Sequence, residues 1–199
     1  MPAGPDQRLA RSGSGAWFEL LFGALALACV YPLFHTRYAP LQDLPQHLAA
    51  IRVLHDFHDP RLGFSRFFEL QLGSTQYLAY YLAADLLAYA LPVEQANELL
   101  IMAALIATPY ALRALLVSLG KDGRMALLAF PLAYNAHLIL GFFNFIAAIP
   151  LWLYGTALAV RQLREPSPRR ALGLTVLGVV CFYTHVVPFA LLGVGVVLV

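Results

Sequence analysis

Charge is scarce in this chain. Acidic and basic residues together make up 12% of its 199 positions, and the formal net charge is only +2. So small an excess leaves no electrostatic footprint for a nucleic acid, and the arginines are scattered at segment ends instead of forming a stripe. Cysteine is nearly absent: Cys29 and Cys181 each fall inside an apolar run, which supports neither a disulfide framework nor a cysteine metal cluster. There is no internal repeat, no low-complexity tract and no sugar- or nucleotide-specific motif to name a substrate.

What the chain has in abundance is apolar surface. Hydrophobic residues make up 60% of it, and the mean hydropathy is +0.69. That exceeds what a soluble core of this length buries, so lipid replaces water as the solvent for most side chains. The expected fold class is all-α, a polytopic transmembrane helical bundle.

The first apolar run, Ala16 to Phe34, follows a tail with Arg8 and Arg11 and resembles the start of a secretory signal; Ala26-Leu27-Ala28-Cys29 is similar to a lipoprotein cleavage site. Hydrophobicity continues past Cys29 and further long runs follow, so the segment is read as a retained anchor. Four more stretches approach the roughly 20 residues that cross a bilayer core: Asn97 to Leu119, Met125 to Leu140, Phe142 to Val160 and Ala171 to the chain end. Thr75 to Leu91 is ambiguous.

Charge arbitrates. Arginine and lysine near spans stay cytoplasmic, and the candidates are Arg8/Arg11, the Lys121-Asp122-Gly123-Arg124 turn and the Arg161 to Arg170 segment. Placing all three on one side requires that Thr75 to Leu91 not cross. Its four tyrosines suit the headgroup level, and Asp85 in mid-membrane would cost about 2.5 to 3.5 kcal/mol. The alternative is an ordinary span whose Asp85 faces a neighbour. The layout expected is a first span (16–34), an external loop with interfacial helices (35–96) and a bundle (97–199), with about five crossings in all and a tight external turn at Gly141 to Asn144. The last run reaches Val199 with no polar flank, so the expectation is one membrane domain forming the amino-terminal part of a longer protein.

Helical rise puts His137 about 20 Å beyond Arg124 and His185 about 21 Å beyond Ala171, both in the outer third of the core. With Asn135, Asn144, and Asp43 and His47 four positions apart, several polar groups collect at the outer surface. Each has a plainer role available. Asp43 before Leu44-Pro45 is placed to cap a helix, His47 to face water, and His137 and His185 to bond between helices. His55-Asp56-Phe57-His58-Asp59 reads as a solvated helix end before Pro60, with Arg52 and Asp56 as an i,i+4 pair, since it lacks the ligand set of a zinc site. Arg113 is placed to snorkel to the cytoplasmic surface, and the Arg164 to Arg170 cluster to fix orientation and touch anionic lipid.

Leu41-Gln42-Asp43-Leu44-Pro45-Gln46-His47 after the first span, and the tyrosine-rich Thr75-Gln76-Tyr77-Leu78-Ala79-Tyr80-Tyr81-Leu82, resemble the first loop of GT-C class membrane glycosyltransferases, such as protein mannosyltransferases and aminoarabinose transferases. The resemblance implies an amino-terminal portion of an integral membrane enzyme moving a sugar from a polyprenyl-phosphate donor at the outer face of a cell inner membrane. Its partners would be membrane lipid and the lipid-linked sugar. Asp43 would hold the position of the family's first-loop acid, a general base or a ligand for a divalent metal, with His47 beside it as a second catalytic residue. His137, Asn144 and His185 would bind substrate, and His137 and Asn144 occupy the region where the family carries its second acid. A different class of reading is a non-catalytic membrane component or transporter, whose histidines and asparagines line a solute or proton path and whose Pro109, Pro131, Pro150 and Pro188 break spans.

Overall fold

A computed structural model describes residues 15–35, 39–73 and 75–198. Arg8 and Arg11, on which part of the charge reading rests, lie outside them. Among the described residues every regular element is helical. In chain order these are α1 (Ala16–Val30), α2 (Leu44–His55), α3 (Leu78–Ala88), α4 (Val93–Ser118), α5 (Ala136–Leu140), α6 (Phe143–Arg164), α7 (Pro168–Thr184) and α8 (Val186–Leu198). Short 3-10 turns occupy Tyr31–His35, Phe64–Arg66 and Gly123–Ala129.

Among the described residues, three helices are long and apolar enough to cross a membrane: Ala16–His35, Val93–Ser118 and Phe143–Arg164, of 20, 26 and 22 residues. The protein is a membrane protein on this count. Pro92 stands at the N-cap of α4, which therefore begins four residues before the expected Asn97. α6 is the hub: 61% of its apolar window is buried, against 33% for α4 and 22% for α1. Small residues on its buried face, Ala148, Gly155, Ala157 and Ala159, let neighbouring backbones come close, which is how helices adhere where no hydrophobic effect drives them together.

α3 has 11 residues and rises only ~17 Å, about half the hydrocarbon core. Its Ala84 packs on Ile51 of α2, with Val93 at the start of α4 completing the cluster. Asp85, whose membrane cost drove the sequence reading, meets His55 of α2, with Oδ1 at 2.8 Å from Nδ1. Arg52 and Asp56 form the expected pair at 2.7 Å. Among the described residues, no group of three or more His, Cys, Asp or Glu side chains is placed to hold a metal.

Two expected spans take another form. Met125 to Leu140 is not one helix: the 3-10 turn Gly123–Ala129 gives way to turns and then to the five-residue α5. Pro131 lies in the break, where it can neither donate nor fit a continuing helix. The strand of chain still travels the length of the bundle, from Gly123 against Val117 and Arg113 to Gly141 against Asp43.

Ala171 to the end is also broken. His185 is extended (φ −165, ψ 131) and separates α7 from α8. Leu177 before the break and Leu192 after it both reach Gly155, and position 195 lies against Thr156. The chain has therefore reversed at His185, and α7 and α8 form a hairpin seated on α6.

The bundle thus has two ends. One carries Arg124 and the Arg161 to Arg170 segment. The other gathers the end of α1, both short helices, the Gly141 turn and the hairpin apex. Arg113, near the first end, does more than snorkel: its Nη1 donates to Glu19 Oε2 at 2.7 Å, and its guanidinium lies 5.1 Å from the Phe18 ring centre. That ion pair ties α4 to α1.

Candidate functional site

Asp43 stands at the N-cap of α2 with Pro45 in the first turn, but its carboxylate makes no capping bond. Capping is therefore not its role. The backbone explains its position: the Gln42 N–H donates to the Ile139 carbonyl at 2.9 Å and the Asp43 N–H to the Leu140 carbonyl at 3.2 Å. These bonds fasten the first loop to the turn ahead of α6. Gly141 makes the contact feasible, since its φ is +87° and a Cβ there would sit 2.8 Å from the Asp43 nitrogen. Among the described residues, no hydrogen bond or ion pair engages the Asp43 carboxylate.

One turn on, His47 is half-buried between helices. Its Nδ1 lies 2.9 Å from the Tyr81 hydroxyl, and its ring packs 4.6 Å from that of Phe143. The Gly141 backbone favours the protonated ring. Burial pushes the His47 pKa down, outweighing the Gly141 backbone and the negative charge of Asp43, which favour protonation. Burial likewise raises the Tyr81 phenol, opposed by a bond from the Asn144 side chain. The His47–Tyr81 bond thus sits between two polar neighbours, the Gly141 backbone and the Asn144 side chain.

Asn144 is the polar residue this arrangement leaves unfinished. It is only 8% exposed, and its Oδ1 is buried without a partner. It lines a cavity of about 270 Å³ together with His47, Tyr77, Phe143, Phe145 and His185. Asn144 is thus a cavity-wall residue that carries an unsatisfied buried acceptor, the kind of group that is rare without a functional or bound partner.

His185 arrives from the hairpin apex. Its Nδ1 accepts the Val187 N–H at 3.1 Å, starting α8, and the residue lines the same cavity. The ring lies 5.1 Å from that of Tyr77 and 5.3 Å from that of Phe145. His137 is elsewhere: it stacks at 4.8 Å on Phe145 and is not part of the cavity wall. Of the residues singled out in the sequence, the structure brings His47, Asn144 and His185 around one cavity, with Asp43 one helical turn from His47. His137 stays behind Phe145.

Tyr77 belongs to the site as part of the cavity wall and Tyr81 through its bond to His47, and sequence reasoning gave neither a place in it. The tyrosines stood out as headgroup-level aromatics and as part of the Thr75 to Leu82 resemblance. Asp43 and His47 fall short of the three protein ligands a catalytic metal needs, so no chemistry is routed through one. No family model, curated protein or solved structure matches the chain.

Proposed function

We propose that this chain belongs to an integral membrane glycosyltransferase of the GT-C type, which moves a sugar from a polyprenyl-phosphate donor at the outer face of an inner membrane. The observation that carries the reading is the Asp43 carboxylate, which caps nothing, pairs with nothing among the described residues and stands beside a cavity walled by His47, Asn144 and His185. A free carboxylate is suited to accept the acceptor hydroxyl's proton as its oxygen attacks the anomeric carbon and the lipid phosphate leaves. His47, neutral through burial, and Asn144, with its orphan oxygen, are suited to hold polar substrate groups.

The sidedness follows from charge. With Arg124 and the Arg161 to Arg170 segment cytoplasmic, the Asp43 end faces outward. α1, α4, the broken return segment, α6 and α7 then make five traverses, and α8 turns back inward.

The test is transfer from polyprenyl-phosphate sugars by the full protein in proteoliposomes. Asp43→Asn is expected to lower transfer by about 10² to 10⁴, the usual worth of a general base, without changing thermal unfolding. Transfer at the unsubstituted rate in that variant would remove Asp43 from catalysis. A second reading, transport, draws support from the helix break at His185, since discontinuous helices are common at transporter sites. Solute flux with no transfer activity would favour it.

A further inference from the structure

A second cavity, about 220 Å³, lies at mid-depth of the helices, away from Asp43. The centre of α4 supplies Leu105, Thr108 and Pro109; α6 supplies Ile146; the broken return segment supplies Ala133 and Asn135. Pro109 has no N–H, so the Leu105 carbonyl one turn earlier loses its helical donor. Pro150 does the same to the Ile146 carbonyl. Both residues are buried and both line the cavity.

Of the polar side chains in the wall, Thr108 has its one donor engaged, whereas Asn135 keeps the second hydrogen of its Nδ2 amide. Thr108 Oγ1 donates to the Ala104 carbonyl at 2.8 Å and Asn135 Nδ2 to the Leu132 carbonyl at 3.0 Å. The third wall is made of turns, not helix. At this depth Phe130 packs on Phe22, in the middle of α1. Non-helical backbone persists at membrane depth where protein buries it or where it lines water.

The geometry points to a hydrated intramembrane chamber, in which the Leu105 and Ile146 carbonyls left without helical donors take hydrogen bonds from water or another small O–H or N–H donor. Its volume is far above the roughly 10–15 Å³ one water needs. The inference rests on the membrane embedding alone and is independent of the transferase reading.

Accessibility to a small charged methanethiosulfonate tests it. Ala133→Cys and Leu112→Cys are made in the full chain, with Cys29 and Cys181 replaced by alanine, and the protein is reconstituted in nanodiscs. Leu27→Cys, at a position 66% exposed on α1, is the lipid-facing reference. Both chamber cysteines are expected to react at least about tenfold faster than the reference. Rates no faster than Leu27→Cys overturn the chamber. In the unsubstituted protein, amides 132–135 are expected to exchange with deuterium as readily as those of the Lys121–Gly123 turn. Exchange as slow as in the centre of α6 overturns it independently.

Discussion

At the residue scale, His47 is the group whose environment says most. Its pKa lies below the ordinary value because burial disfavours the imidazolium. The unfolded chain therefore binds more protons than the folded one between the folded pKa and about 6.5. The stability His47 contributes is complete above about pH 6.5 and is lost as pH falls through its folded pKa. Thermal unfolding of the intact protein should show Tm dropping on acidification from pH 7.5 to 5, and His47→Asn should reduce that drop. An unchanged pH profile in the variant would assign the dependence to other groups. None of this was legible in the sequence, because the Tyr81, Gly141 and Phe143 partners of His47 come from elements far along the chain. The uncapped carboxylate of Asp43 was hidden for a similar reason: the local pattern Asp-Leu-Pro fits a capping residue, and only the pull of the Ile139 and Leu140 carbonyls on the loop shows otherwise.

At the element scale, hydropathy made the long helices plain and misread the broken ones. α1, α4 and α6 are continuous apolar runs with charge at their ends, a pattern that composition alone reveals. Met125 to Leu140 is as apolar, so a hydropathy window cannot tell it from a helix, and Pro131 was the cue to its break. The α7–α8 hairpin was hidden in the same way, since Val186–Leu198 keeps the apolar character of α7 across the reversal at His185. Gly155 is what seats that hairpin: a Cβ there would fall 2.7 Å from Leu192 Cδ1 and 3.0 Å from Leu177 Cδ2. Gly155→Val should destabilise by about 1–3 kcal/mol through overpacking. Deuterium exchange is expected to rise in residues 171–198 while α2 keeps its protection. Equal protection in both regions, with Tm unchanged, would show that the hairpin does not depend on close packing at Gly155.

At the scale of the whole molecule, the account depends on a division between two ends. The cavity of His47, Asn144 and His185 is assembled from four separate stretches of chain that meet because α4, the return segment, α6 and α7 each run the length of the bundle. Counting helical rise from Ala171 set His185 near the outer end, where the Gly141 to Asn144 turn was also expected, whereas the count for His137 assumed a continuous helix that the chain does not form. It could not show that Phe145 separates His137 from the cavity. The most direct measurement is single-cysteine labelling with a membrane-impermeant maleimide, on a background with Cys29 and Cys181 replaced by alanine. Gln46→Cys, beside His47, should label on intact cells, whereas Gly123→Cys and Ser167→Cys should label only after permeabilisation. Labelling of Gln46→Cys and Ser167→Cys from the same side would contradict the two-ended arrangement, and with it the proposed site.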